Sequence, residues 1–439
     1  MSQLKGTYKE IISIAVPLIL GNLSWALIGI TDQAFMGHYG KTEEAAIGPV
    51  AIFYSMLYLI GFAYGRGVQI LIARACGEGN KKEVGRLFDN TLWVMIASSV
   101  FFSAIVLSIK DFALHLLLID EIIIAACNDY LNYRIIGVPA SFVGSLFVAF
   151  YSGIGKTKLL SISVATMALA NIVLNYGFVF GNFGLPEMGI GGAGLASGIA
   201  EWISIVILAM GVVARKYHKE FHLIKSKIDF GKILIMTKTS TPLVLQTFIS
   251  NAGWFVFFTF VEKMGANNLA ISNILRQLLL WIGIPIWAIG SVTNTLVSNL
   301  VGQNKIKEIK FIFKRINVIA ISITLTQLCF ILFFYKNIFS LFSMDKEIHE
   351  NVLPSIIVLS IAMILMTFSS TYFNGLMSVC GTRYALYIEM LAIIAYISYV
   401  FFLFNLDSLK IETAWTTEWV YWSVCLIASL LKLKQAKVL

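Results

Sequence analysis

Asp32 stands at the end of an uncharged run, residues 11–31. An ionised acid carried to the centre of a bilayer costs about 2.5–3.5 kcal/mol on insertion scales, so it needs a cation, a proton or a hydrogen-bonding partner. Two readings are open from position alone: a helix-end carboxylate in headgroup water, or an interior acid that takes up H+ or Na+. Asn171 and Asn175 lie four residues apart in another uncharged run, 159–186, and therefore share one helix face. Their amides could coordinate Na+ or hydrogen-bond a protonated acid, or they could simply join two helices. Ser197 and Glu201 repeat the four-residue spacing, and Glu201 is the only charged residue between 188 and 214. It could be a second proton carrier, or it could pair with a basic residue such as Arg66.

In the second half of the chain Gln246, Ser250, Asn251 and Trp254 follow one helical stripe, and Asn273 and Arg276 come soon after. With Gln33, these would suit the wall of a cavity that binds a polar or cationic aromatic molecule through hydrogen bonds and ring faces. Arg276 would repel a cation unless it is paired. Membrane-enzyme chemistry finds no support. The five histidines fall in loops or near the ends of apolar runs, and no HExxH or GxSxG is present. The five cysteines form no CxxC pair, which argues against zinc and structural disulfides. Gly155-Lys156-Thr157 lacks the spacing of a phosphate loop. No cofactor is expected, no metal beyond Na+, and no enzymatic activity.

The elements that must carry these residues are membrane helices. The chain has 439 residues, 58% hydrophobic and 13% charged, against about 45–50% and about 25% for a soluble domain. Eight runs lack any Asp, Glu, Lys or Arg: 11–31, 91–109, 135–155, 159–186, 239–261, 277–304, 316–335 and 351–382. Four more hold one charge each: 45–73, 188–214, 384–406 and 413–431. Each is long enough to cross a bilayer as a helix of about 20 residues. The expectation is an all-α integral membrane protein with twelve transmembrane helices. The net charge of +9 does not point to nucleic acid, because most of the basic residues fall in alternate connecting segments. That asymmetry puts both termini in the cytoplasm. Residues 1–10 are polar and the first apolar run is too long for a signal-peptide core, so no cleaved leader is expected.

The chain also matches itself at an offset of 225 residues: Pro17 falls on Pro242, Gly40 on Gly265, Gly77 on Gly302, and Lys82-Glu83 on Lys307-Glu308. The basic stretch 215–238 divides the two copies, giving lobes 1–214 and 239–439 joined by a linker. Six spans in each copy bring both into the membrane from the same side, so the repeat is parallel. Asp32 meets Phe257 in the second copy. This implies that the charge is kept in one half only.

On these residues the chain resembles the MATE family, the multidrug and toxic compound extrusion transporters. The resemblance runs through Pro17, Asp32-Gln33-Ala34-Phe35-Met36-Gly37, Gly153-Ile154-Gly155-Lys156-Thr157, Asn171 to Asn175, the segment from Gly184 to Ser197, then Pro242, Gly302 and Gly381-Thr382. It implies two pseudo-symmetric six-helix bundles in a V around a central cavity. It also implies Na+- or H+-driven export of organic cations and drugs, with an ion site at Asp32, Asn171 and Asn175. Ser197 stands where family members often have threonine. Some members bind the cation through a glutamate on the seventh span, where this chain has Ser250, and others carry an aspartate on the tenth, absent here near Asn374. Coupling is therefore expected to rest on the first lobe, in a monomer of the inner membrane surrounded by lipid. The alternatives are a lipid or lipid-linked oligosaccharide flippase of the same superfamily, and a non-transporting membrane scaffold.

Overall fold

In the computed structural model the described residues are 4–342, 352–406 and 409–439, without the side chains of 25–27 and 340–342. His349, one of the histidines assigned to a loop, lies outside them. Fifteen α-helices run through the described residues. The first eight are α1 Tyr8–Tyr39, α2 Lys41–Gly77, α3 Lys81–Leu117, α4 Glu121–Arg134, α5 Gly137–Gly153, α6 Lys158–Phe180, α7 Gly189–Ala214 and the short α8 Tyr217–Glu220. After them come α9 Phe230–Glu262, α10 Ala266–Gly302, α11 Ile309–Phe342, α12 Leu353–Cys380, α13 Thr382–Phe404, the short α14 Ile411–Ala414 and α15 Thr417–Gln435.

Each of the twelve expected apolar runs falls on one of these helices. Ten of the helices are long and apolar enough to span a membrane, or eleven if α4 and α5, bent by 53° at their junction, form one broken span. The remaining run, 413–431, falls on α15, whose ends carry Glu418, Lys432 and Lys434. Helix α4 itself was not expected: Glu121, Asp129 and Arg134 give it the look of a loop. Large apolar side chains on the outside, such as Phe112, Leu169, Phe255 and Phe333, are what a helix facing lipid presents.

The chain divides into two compact units. Unit 1 is Val16–Ser240, and unit 2 takes the described residues up to Ala15 together with Thr241–Leu439. The division cuts α1 after Ala15 and α9 after Ser240, the same position of the repeat at the offset of 225. The start of each copy's first helix is thus counted with the other copy. In unit 2 the amide of Leu4 donates to Asn299 Oδ1 at 3.2 Å, and Arg315 donates to the Gly6 carbonyl at 3.0 Å. In unit 1 the Ser240 hydroxyl donates to the Tyr64 carbonyl at 2.9 Å. The expected linker 215–238 contains the first turns of α9. The part that stays outside the helix is tied down by Asp89, which accepts from the backbone amides of Ile224, Lys225 and Ser226.

Within unit 1, α7 packs tightly because its glycines remove side chains where backbones meet. A Cβ on Gly192 would lie 2.5 Å from the Phe178 carbonyl oxygen on α6, and one on Gly194 would lie 2.5 Å from the Tyr130 carbonyl oxygen on α4. Small residues at such crossings let membrane helices approach closely. This contact sets α7 against α6, and so sets Ser197 beside the asparagines.

Candidate functional site

Three helices of unit 1 each contribute to one buried polar cluster. Asp32 projects from α1 two turns before its end, Asn171 and Asn175 from α6, and Ser197 from α7. Asp32 is 7% exposed, Ser197 3% and both asparagines 0%. The Ser197 hydroxyl donates to Asp32 Oδ2 at 2.8 Å, while Asn175 Nδ2 and Asn171 Nδ2 donate to Oδ1 at 2.6 and 3.2 Å. Asn171 Nδ2 also donates to Ser197 Oγ at 2.9 Å, and its own oxygen accepts from Asn175 Nδ2 at 3.2 Å. Asn175 Oδ1 is buried without a hydrogen-bond partner. The headgroup-water reading of Asp32 does not describe this environment: the carboxylate sits in the protein, wrapped by three donors. Burial without such donors would be prohibitive for a charged acid.

Glu201, one turn beyond Ser197, belongs to a different arrangement. Arg134 Nη2 lies 2.5 Å from Glu201 Oε1. The Tyr54 hydroxyl donates to Oε2 at 2.8 Å, and the guanidinium stacks 3.6 Å above the centre of the Tyr54 ring. The partner is therefore Arg134, at the bend between α4 and α5, and not Arg66. The group is a largely buried ion pair joining α2, α4 and α7, with Arg134 and Glu201 side chains 8% and 15% exposed, and one partner holds the charge of the other in place.

The residues grouped as a cavity wall separate into three kinds. Gln33, Asn251, Asn273 and Arg276 are exposed. Asn251 donates to the Thr247 carbonyl of its own helix at 2.7 Å, and Arg276 lies 5.3 Å from the centre of the Phe258 ring. Trp254 is half-buried and packs on Phe258 and Trp415, inside the aromatic core of unit 2. Gln246 and Ser250 turn instead to a carboxylate that sequence reasoning passed over. Glu389 on α13 is 0% exposed. It accepts from Gln246 Nε2 at 3.1 Å, from the Ser250 hydroxyl at 2.5 Å and from the Tyr421 hydroxyl at 2.7 Å.

A second acid, Glu418, is 3% exposed and accepts from Trp422 Nε1 at 3.0 Å. The expectation of charge in one half only is thus overturned. These acids stand at positions not equivalent to Asp32 in the repeat, for which the second copy has Phe257. The signal was present: Glu389 is the only charged residue from 384 to 404, which is the pattern that drew attention to Glu201.

The fold and these clusters define a class: a duplicated, all-helical, multi-pass membrane protein with ionisable groups buried in each copy. The model of the MatE family matches residues 17–177 and again 242–402, two stretches offset by 225 residues. The chain belongs to the MatE family. Among curated relatives, a probable multidrug resistance protein NorM of Thermotoga maritima is 23% identical over 388 residues, covering 88% of this chain and 83% of its own. One of the same name from Neisseria meningitidis is 20% identical over 376 residues, covering 85% and 80%. Among solved structures, an outward-facing multidrug resistance MATE transporter of the MOP superfamily superposes with a TM-score of 0.88 at 16% identity, over 99% of this chain and 98% of that one. A MOP superfamily transporter from Pyrococcus furiosus gives 0.89 at 15% identity, over 98% and 96%.

Proposed function

We propose that this protein is a secondary multidrug efflux transporter of the plasma membrane. It would export organic cations and other drugs by alternating access, with both termini in the cytoplasm, in exchange for a proton taken up at Asp32. The family, the name shared by its relatives and the charge asymmetry of the connecting segments support the transport reading. The observation that carries the mechanism is the cage around Asp32. Asn171, Asn175 and Ser197 each present a hydrogen to the carboxylate. Na+ would add to the carboxylate's own oxygens the oxygens of the amides, which now point their nitrogens at Asp32 and would have to turn. A proton requires the turn of one amide: once Asn175 rotates, its buried, unpartnered Oδ1 can accept from the neutral acid.

Neutralising Asp32 removes the reason for three donors to converge, so the two protonation states favour different packings of α1 against α6 and α7. A proton and a drug that prefer opposite states of the transporter then exchange for one another, with a coupling of about 1–3 kcal/mol typical of such linkage. The test is ethidium efflux from cells lacking their own pumps. Expression of the protein should lower dye accumulation and Asp32→Asn should restore it; equal accumulation with and without the protein would remove the proposal.

A further inference from the structure

We propose that Glu389 is a second proton-carrying site, set in unit 2 on the three helices equivalent to those of the Asp32 cage. At the offset of the repeat α9, α13 and α15 correspond to α1, α6 and α7. These are the helices that supply Gln246 and Ser250, then Glu389, then Tyr421. The two cages have the same chemistry: one buried carboxylate, a serine hydroxyl, and a side-chain amide that donates to the carboxylate. In each, the oxygen of such an amide is buried and unpartnered, Asn175 Oδ1 in one and Gln246 Oε1 in the other. Gln246 is itself 9% exposed. An unpartnered buried carbonyl oxygen is costly, and a neutral carboxylic acid gives it a donor.

Both states of Glu389 can be satisfied in place. Ionised, it accepts from the amide and the two hydroxyls. On gaining a proton from water it becomes a neutral acid with one O–H. The amide can then turn to offer Oε1, and the Ser250 and Tyr421 hydroxyls can each accept as well as donate. No heavy atom has to leave. The groups facing Glu389 from α9, Gln246 and Ser250, do not titrate. From α15 it is faced by Tyr421 and by the buried thiol of Cys425, which also lies in the field of Glu418. Its own helix carries Arg383 in the first turn.

The cages are not copies of one another. Glu389 meets Val164 or Ser163 in the first copy, as Asp32 meets Phe257 in the second. Asp32 lies 15 residues beyond Pro17, whereas Ser250 lies 8 beyond Pro242. At 1.5 Å per residue the second cage is set about 10 Å nearer the start of its first helix.

That Glu389 serves coupling rests on the transport reading above; that it takes up a proton does not. The test is infrared spectroscopy of the full-length protein in lipid nanodiscs, acidified stepwise, for the parent, Glu389→Gln and Asp32→Asn. A protonated-carboxyl band that grows on acidification should be missing from Glu389→Gln and retained in Asp32→Asn. Spectra of Glu389→Gln that superimpose on the parent throughout, or a band that responds to Na+ at fixed pH instead of to pH, would overturn the inference. If Glu389→Gln does not fold, Tyr421→Phe decides: loss of its hydroxyl should move the band in frequency, and an unmoved band counts against the site.

In liposomes driven by a pH gradient, Glu389→Gln should slow dye efflux about tenfold, within the usual range of coupling. If Asp32→Asn stops efflux and Glu389→Gln leaves the infrared band unchanged, the transport reading stands and the second site falls. If neither variant changes efflux, the transport reading falls and the band alone decides on Glu389.

Discussion

In unit 1 the enclosed carboxylate is carried by the first helix of the repeat, and in unit 2 by the fifth. Around Asp32 the other helices supply two asparagines and a serine; around Glu389 they supply a glutamine, a serine and a tyrosine. Duplication kept the three-helix crossing and its enclosed interior, and each copy placed its acid on a different member of the crossing. Equivalent helices therefore teach more than equivalent positions. What is shared is a place among helices where a carboxylate can be kept from lipid, given donors, and offered an amide oxygen when it is neutral.

The comparison breaks most visibly if the acids are removed one at a time. Asp32→Asn keeps the shape of the cage and removes the titrating group. Initial rates of pH-driven efflux in liposomes should fall about 100-fold, near the upper end of typical coupling. Glu389→Gln should cost less, as stated above. If the two cages act independently, the effects of the single changes on log rate should add in the double variant; a clear departure from additivity would show that they are coupled.

The buried ion pair of unit 1 supplies the contrast of a carboxylate held for structure. Glu201→Gln leaves the Arg134 guanidinium beside a neutral amide, and removing one partner of a buried pair costs about 3–5 kcal/mol. Thermal unfolding of the detergent-solubilised protein should show a clear loss of stability for this variant, and much less for Asp32→Asn. A stable Glu201→Gln protein with abolished efflux would instead move Glu201 among the proton carriers.

Smaller effects sharpen the chemistry of each cage. Ser197→Thr keeps the hydroxyl and should stay within about threefold of the parent rate, whereas Ser197→Ala loses a hydrogen bond to a charged group, about 1.5–3 kcal/mol, and should fall by tenfold or more. Ser250→Ala should have the smallest effect, because the Tyr421 hydroxyl and the Gln246 amide still reach Glu389. Efflux rates at one fixed gradient check both.

Much of the fold was legible. Charge-free runs and the self-match located the membrane helices and the repeat, since lipid forces long apolar segments and leaves few alternatives. Asp32, Asn171, Asn175 and Ser197 were legible as a group because the i, i+4 spacing marks a face and the resemblance joins the faces. Three things were not. Helix α4 hid behind its charges, of which Arg134 is buried by a partner distant in sequence, Glu201. The partner of Glu201 was misread because Arg134 lies 67 positions away in the chain and only the bend between α4 and α5 brings it round. Glu389 escapes a position-by-position reading because it stands out of register with Asp32 in the repeat. Gln246 and Ser250 did look polar and aligned, but their common target lies on another helix.

The most direct test of the account is the choice of driving gradient. Purified protein in liposomes should move an organic cation when a pH gradient is imposed with Na+ equal on both sides, and should not move it under a Na+ gradient at equal pH; Asp32→Asn should abolish the pH-driven flux. Flux driven by Na+ alone, or pH-driven flux that survives Asp32→Asn, would contradict the assignment of Asp32 as the proton site.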